Sequence, residues 1–209
     1  MDSKYWDEKY LATEELIYTD VVNRFVKELA EPIIAASKRP GKVIDLAGGE
    51  GRNSVWFAEQ GWKAELIDFS RAALTKALKF AESRNVKDLI FAHVADATGF
   101  ESVLTPVDLG VVAYLQVPND DLFDALDCLI ENVKKGGHII GVWHARENLQ
   151  GGFGGPQDPK VLPTAEEIRD FLANQPVEIE VLENRDGQVQ TRDGLKPSVT
   201  LVLKARVTA

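Results

Sequence analysis

The sequence predicts an α/β protein: a seven-stranded, mainly parallel sheet with helices on both faces, finished by an antiparallel C-terminal hairpin. Three observations predict it. From residue 42 onward, short β-rich apolar runs alternate with segments of helical period, the pattern of strand–helix–strand units. The first run ends in an acid and a glycine turn, VIDLAGGEGRN at residues 43–53. The last two runs, Val177 to Leu182 and Val199 to Ala205, are joined by a stretch that holds Asp186-Gly187 and Asp193-Gly194. That stretch is too short for a crossover helix and favours a hairpin.

Residues 1–40 read as a helical cap. Val22, Phe25, Val26 and Leu29 lie on one side of a helix, and the aromatics Tyr5, Trp6, Tyr10 and Tyr18 stand ahead of it. These aromatics either pack as a cap or cover a ligand crevice as a lid. Residues 41–145 read as a cofactor-binding core, with strands at 42–46, 63–67, 89–95, 107–113 and 138–143. The intervening helices run over 53–60, from a Ser70 cap to about Arg84, and from an Asn119 cap to a stop at Gly136-Gly137. In residues 146–209, a glycine- and proline-rich loop over 146–163 is the candidate substrate segment, since long loops in compact domains are often functional. Thr164 and Glu167 then have capping-box spacing ahead of a helix to about Asn174, and the hairpin follows. A chain of 209 residues, 44% hydrophobic, is the size of one domain spanning 1–209.

The balance of 24 Lys and Arg against 33 Asp and Glu gives a net charge of −9. This sign is wrong for a phosphate backbone or an anionic membrane. A small-molecule substrate is therefore expected, with no nucleic acid and no membrane, for a monomer or a homodimer. The single cysteine, Cys128, excludes an intramolecular disulfide and has the spacing of a core residue in its helix. The start MDSKYWDEKY lacks the basic flank and apolar run of a signal peptide, so a cytoplasmic location is expected. The three histidines have no ligand spacing, so no metal is expected.

The glycine turn lets backbone approach a ligand closely. Asp68 closes the second strand, where an acid accepts hydrogen bonds from ribose hydroxyls, and Asp96 closes the third. Three acids at successive strand ends point to one crevice for an adenosine cofactor. A dinucleotide fingerprint needs G-x-G-x-x-G around a pyrophosphate. Here the turn is A-G-G-E-G, and Glu50 would face the phosphates. S-adenosylmethionine has no phosphate and carries a sulfonium and an ammonium, which suit a site rich in carboxylates.

Residues 43–77, VIDLAGGEGRNSVWFAEQGWKAELIDFSRAALTKA, resemble the core of class I S-adenosylmethionine-dependent methyltransferases, especially the tellurite-resistance (TehB-like) group. YWDEKY at the start, VNRFV at 22–26, KKGGHII and GGPQDP extend the resemblance along the chain. It implies a Rossmann-like fold in which Asp45 and the backbone at Ala47 and Gly49 hold the methionine end. Asp68 would hold the ribose, Asp96 with Ala97 the adenine edge, and Phe69 the adenine face. With Gly48, Gly51, Asn53 and Tyr114, these form the candidate cofactor set. The chain departs from the family pattern at Ala47 and Gly48, where small residues are kept, and the fourth strand ends in AYLQVP without the motif of base-methylating enzymes.

Methyl transfer is an in-line displacement, for which the protein supplies alignment and desolvation. A soft acceptor, such as a thiol or a tellurium or selenium oxyanion, would be helped by a nearby cation. Tyr114, His144 and Arg146 are the candidate catalytic residues, each with a plain structural alternative. Two other readings compete: a non-catalytic S-adenosylmethionine or S-adenosylhomocysteine binder, and an NAD-dependent oxidoreductase, against which the turn and the hairpin both argue.

Overall fold

The computed structural model describes residues 3–191 and 193–209; the first two residues of the expected cap lie outside them. The elements are α1 (Ser3–Leu11), α2 (Arg24–Ala36), β1 (Lys42–Leu46), α3 (Arg52–Glu59), β2 (Lys63–Asp68), α4 (Arg71–Ser83), β3 (Ile90–Val94), β4 (Val107–Ala113), α5 (Asn119–Asn132), β5 (Val133–His144), α6 (Ala165–Leu172), β6 (Val177–Thr191) and β7 (Gly194–Val207). Seven strands form one sheet in the order β3-β2-β1-β4-β5-β7-β6. The first five are parallel, and β7 runs antiparallel to both β5 and β6. This is the predicted class. Strand order reverses between β1 and β4, so the carboxyl ends of these strands flank the crevice in which open α/β sheets bind ligands.

The strands are apolar on both sides because helices cover both faces. Val43, Leu66, Val111 and Val142 pack with Phe25 and Val26 of α2, Phe57 of α3 and Phe80 of α4. Their neighbours Ile44, Ile67, Val112 and Trp143 face the other way, onto Leu122, Leu126 and Leu129 of α5 and Ile168 of α6. Caps set where helices begin. Asn23 Oδ1 accepts the amides of Phe25 and Val26, Ser70 Oγ accepts that of Ala73, and Thr164 and Glu167 form the reciprocal capping box.

Four expectations change. Gly136-Gly137 close no helix: α5 stops at Asn132, and Val133 already pairs with Val107 in the sheet. The β4–β5 register then slips, so that His138 pairs with Leu109, and the extra residues form a bulge. Gly136 has φ +78°, and a Cβ on Gly137 would meet the Asp108 carbonyl at 2.7 Å. Asp186-Gly187 make no turn, because Gly187 pairs with Ser198 and the hairpin continues to Thr191 and Gly194. Thr200 pairs with His144 at the end of β5, so the hairpin projects past the carboxyl end of the sheet. The third strand stops at Val94, before Asp96. Cys128 is only half-buried and donates its thiol to the Thr98 carbonyl at 3.2 Å; it sits at the margin of the α5 face whose core is Leu126 and Leu129.

Among the described residues, no helix is long and apolar enough to cross a membrane. The close approach of α5 to β4 generates a test. A Cβ on Gly110 would lie 2.7 Å from Leu129 Cγ, so Gly110→Ala is expected to destabilise by about 1–3 kcal/mol through overpacking. Denaturant unfolding checks this; an unchanged midpoint would contradict the packing.

Candidate active site

The turn after β1 is compressed against β2. Ala47 and Gly49 both have left-handed backbone, φ +53° and +57°, a conformation costing the alanine roughly 1–2 kcal/mol. Gly48 leaves no room for a side chain, since a Cβ there would lie 2.8 Å from Asp45 Cγ. Gly48 donates its amide to the Ile67 carbonyl at 3.2 Å, and Gly49 donates to Asp68 Oδ2 at 2.9 Å. Asp68 Oδ1 accepts the Ser70 amide at 2.8 Å. One carboxylate thus ties two loops together. Burial raises the Asp68 pKa against these two hydrogen bonds.

Asp45 is fully buried at the end of β1. Its Oδ2 accepts both the amide (3.0 Å) and the hydroxyl (2.7 Å) of Ser54, while Oδ1 is buried without a hydrogen-bond partner among the described residues. Burial pushes this carboxyl up to about 6 in spite of Ser54. Phe69 is half-buried beside Asp68. Asp96 is exposed, and its Oδ1 accepts the amide and hydroxyl of Thr98 at 3.0 and 2.9 Å. Its carboxylate is therefore engaged in its own turn. Ala97 lies half-buried in that same turn.

Glu50 departs from the sequence-based reading. Its buried carboxylate accepts the amides of Ile17 (3.0 and 3.1 Å) and Tyr18 (3.1 Å) and pairs with Lys76 at 3.0 Å. The segment before α2 is thereby fastened across the turn. Asp7 of α1 accepts the Ser70 hydroxyl at 2.6 Å and the Ala72 amide at 3.0 Å. Tyr10 is buried with its hydroxyl over Gly49, 2.8 Å from where a Cβ would stand; burial first, then the Asp68 charge, raises its pKa. The predicted aromatic cluster is real: Trp6 stacks on Tyr10 at 5.7 Å and meets Tyr5 at 5.9 Å, and Lys9 lies over Trp6 and donates to the Tyr18 hydroxyl. Asn53 Oδ1 accepts the Asn23 amide at 3.1 Å, holding the last part of this strap.

At the end of β4, Tyr114 has φ +63°, rare for a residue with a side chain and a mark of functional sites. Its amide donates to the Val142 carbonyl at 2.7 Å, and its hydroxyl accepts from Asn23 Nδ2 at 3.3 Å. The ring lies 4.8 Å from that of His144 and 5.8 Å from the Arg52 guanidinium. Burial alone lowers the His144 pKa. Arg146 is committed elsewhere: it pairs with Glu167 at 2.8 Å and donates Nε to the Pro159 and Leu162 carbonyls. It pins the 146–163 loop to α6. The structure therefore unites Tyr114 and His144, gives Arg146 a bracing role, and adds Tyr10, Glu50 and Arg52. Arg52 stood in the sequence beside the glycine turn, but only folding shows its guanidinium on Tyr114 without an ion pair among the described residues.

A sheet of this order with antiparallel β7, and a glycine turn bracketed by strand-end carboxylates at the switch point, fits the fold expected from the resemblance to class I S-adenosylmethionine-dependent methyltransferases. Residues 43–137 match the family profile described as a methyltransferase domain. That match spans less than half of the chain. The chain is 36% identical over 69 residues to the tRNA 5-carboxymethoxyuridine methyltransferase of Escherichia coli, a stretch covering 32% of this chain and 26%, about a quarter, of that protein. Among solved structures, it resembles the CcbJ methyltransferase from Streptomyces caelestis with a TM-score of 0.74, 14% identity and all of both chains covered. It resembles TehB from Haemophilus influenzae with a TM-score of 0.72 and 17% identity, covering 99% of this chain and 67% of that one. At these identities the structural likeness is one of fold.

Two measurements check the site. The folded chain holds the Asp45 proton up to about pH 6, whereas the group's ordinary value is 3.8, so its contribution to stability falls as pH rises between these values and stays lost above them. Asp45→Asn is therefore expected to stabilise the ligand-free protein by on the order of 2–3 kcal/mol at pH 8 and hardly at all at pH 4; a gap that does not change with pH would refute this. In Glu50→Gln, loss of the buried charge is expected to speed exchange of the Ile17 and Tyr18 amides by about tenfold or more while α5 stays protected. Equal exchange in the variant and the wild type would show that Glu50 does not hold the strap.

Proposed function

We propose that the protein transfers a methyl group from S-adenosylmethionine, bound at the carboxyl ends of β1, β2 and β3, to a small-molecule acceptor that meets it at Tyr114. The glycine turn bracketed by the buried carboxylates of Asp45 and Asp68 carries this reading. The residues present fit the cofactor. Asp45, with one unpartnered oxygen, and the backbone at Ala47, Gly48, Gly49 and Gly51 would hold the methionine end, with Arg52 as the cation for its carboxylate. Asn53 acts beside them by fixing the strap. Asp68 would receive the ribose hydroxyls, Phe69 the adenine face, and the backbone at Asp96 and Ala97 the adenine edge.

When bound, the cofactor supplies an electrophilic methyl carbon on a sulfonium. The chain's own residues align and enclose it. Tyr114 walls the methyl end, held in place by Val142 and Asn23. Tyr10 and the strap exclude water from the glycine turn. A soft nucleophile, such as a thiol or a tellurium or selenium oxyanion, suits such a site because it needs little activation. RNA is a second acceptor class because of the name of the Escherichia coli relative; the net charge of −9 opposes it.

Thermal unfolding with S-adenosylmethionine, S-adenosylhomocysteine and NAD tests the site on the wild type, Asp68→Asn and Asp68→Ala. A ligand at 100 times its dissociation constant stabilises by about 2.7 kcal/mol. Both adenosyl compounds are expected to raise the melting temperature by several degrees, less in Asp68→Asn and not in Asp68→Ala; a shift with NAD alone would overturn the reading. Release of S-adenosylhomocysteine with thiols, tellurite or tRNA then identifies the acceptor class. Stabilisation without release in any of these would leave a binding protein.

A further inference from the structure

Resting on the methyl-transfer reading, we propose that His144 is the base that receives the proton of the acceptor, and hence that the acceptor is a neutral, protic group, a thiol or a hydroxyl, in place of a preformed oxyanion. The placement of the imidazole carries this. His144 ends β5 next to the end of β4, where the sheet delivers the acceptor to Tyr114. Its own amide donates to Gln116 Oε1 at 2.7 Å, which fixes the backbone. On one side its ring meets Tyr114 at 4.8 Å. On the other, Gly155, with φ +76°, comes so near that a Cβ would lie 2.6 Å from the ring. The ring is therefore clamped between a strand-end aromatic and the 146–163 loop.

The surroundings decide its charge. From β4 it faces the Tyr114 phenol, from the following segment the neutral Gln116 amide, and from the loop the Gly155 backbone. Arg52 of α3 lies over the Tyr114 ring at 5.8 Å. Among the described residues no carboxylate pairs with the imidazole, and Nδ1 is buried without a hydrogen-bond partner, so in the neutral ring with its proton on Nε2 the Nδ1 lone pair is free. Such a ring is neutral near pH 7, and the downward shift from burial agrees. A neutral imidazole cannot hold an oxyanion as a cation, and the neighbouring Arg146 is already neutralised by Glu167. It can take a proton.

In the step, the acceptor sulfur or oxygen forms its bond to the methyl carbon as the carbon–sulfonium bond breaks, and that electron pair stays on the cofactor sulfur. The acceptor's proton passes to the free lone pair on His144 Nδ1, and the imidazolium then releases it to water. Each atom and charge is accounted for without another reactant.

The test uses the full chain as wild type and His144→Gln, with a small thiol, a phenol and tellurite as acceptors. S-adenosylhomocysteine release, its stabilisation of the fold, and the histidine ring resonances by NMR are followed against pH. The wild type is expected to methylate a protic probe with a rate that rises with pH through the imidazole titration, and the His144 ring to titrate below an ordinary histidine. His144→Gln is expected to lose about 10²-fold or more in rate and this pH dependence, while S-adenosylhomocysteine still stabilises it. The proposal is overturned if the variant keeps the rate and its profile, if tellurite alone is methylated, or if the ring titrates at or above the ordinary histidine value. The ring titration decides even where no probe turns over. Absence of any stabilisation of the wild type by S-adenosylhomocysteine would instead remove the methyl-transfer reading itself.

Discussion

The amide of Gly49 donates at 2.9 Å to Asp68 Oδ2 and so fastens the turn after β1 to the end of β2. Most of the carboxyl side of the sheet depends on that bond. It fixes the left-handed Gly49, brings Gly48 against Asp45 and starts α3 at Arg52 in the orientation that lays its guanidinium beside Tyr114. It also sends the Glu50 side chain away from the crevice floor, toward Ile17, Tyr18 and Lys76. A hydrogen bond to a buried carboxylate is stronger than one between neutral groups, and without the Asp68 carboxylate both loops would be left with unpaired amides.

The site also collects the costly features of the chain. Asp45 and Asp68 are carboxylates kept from water, Ala47 and Tyr114 sit in left-handed backbone, and Asp45 Oδ1 has no partner. Such features persist only where surrounding structure over-determines them. Two apolar cores supply that support, one on each face of the sheet, so the strand ends cannot shift to relieve the strain. Carboxylates held without their full set of hydrogen bonds are suited to a cationic ligand.

Enclosure comes from segments outside the alternating strand–helix units. The strap from α1 to Asn23 is anchored at Ser70, Gly49, Glu50 and Asn53, four points around one turn. Past the end of β5, Arg146 ties its loop to α6, Phe153 donates its amide to the Pro197 carbonyl of the projecting hairpin, and Gly155 backs His144. The fold thus places one wall over the glycine turn and another beside Tyr114 and His144.

The sequence by itself determined the order of strands and helices, the hairpin, the caps at Ser70 and Thr164, and the placement of Asp45 and Asp68 at strand ends. These follow from local period and from the chemistry of turns, which neighbours along the chain decide. Only the tertiary structure decided what the polar side chains meet. Glu50 finds Ile17, Arg146 finds Glu167, His144 finds Tyr114, and the Asp96 carboxylate turns to Thr98. It also decided that Asp186-Gly187 stays in a strand and that Gly136-Gly137 make a bulge. The physical reason is the same in each case: a carboxylate, a guanidinium or a glycine has several local uses of similar energy, and the choice among them is made by partners distant in sequence that packing brings near.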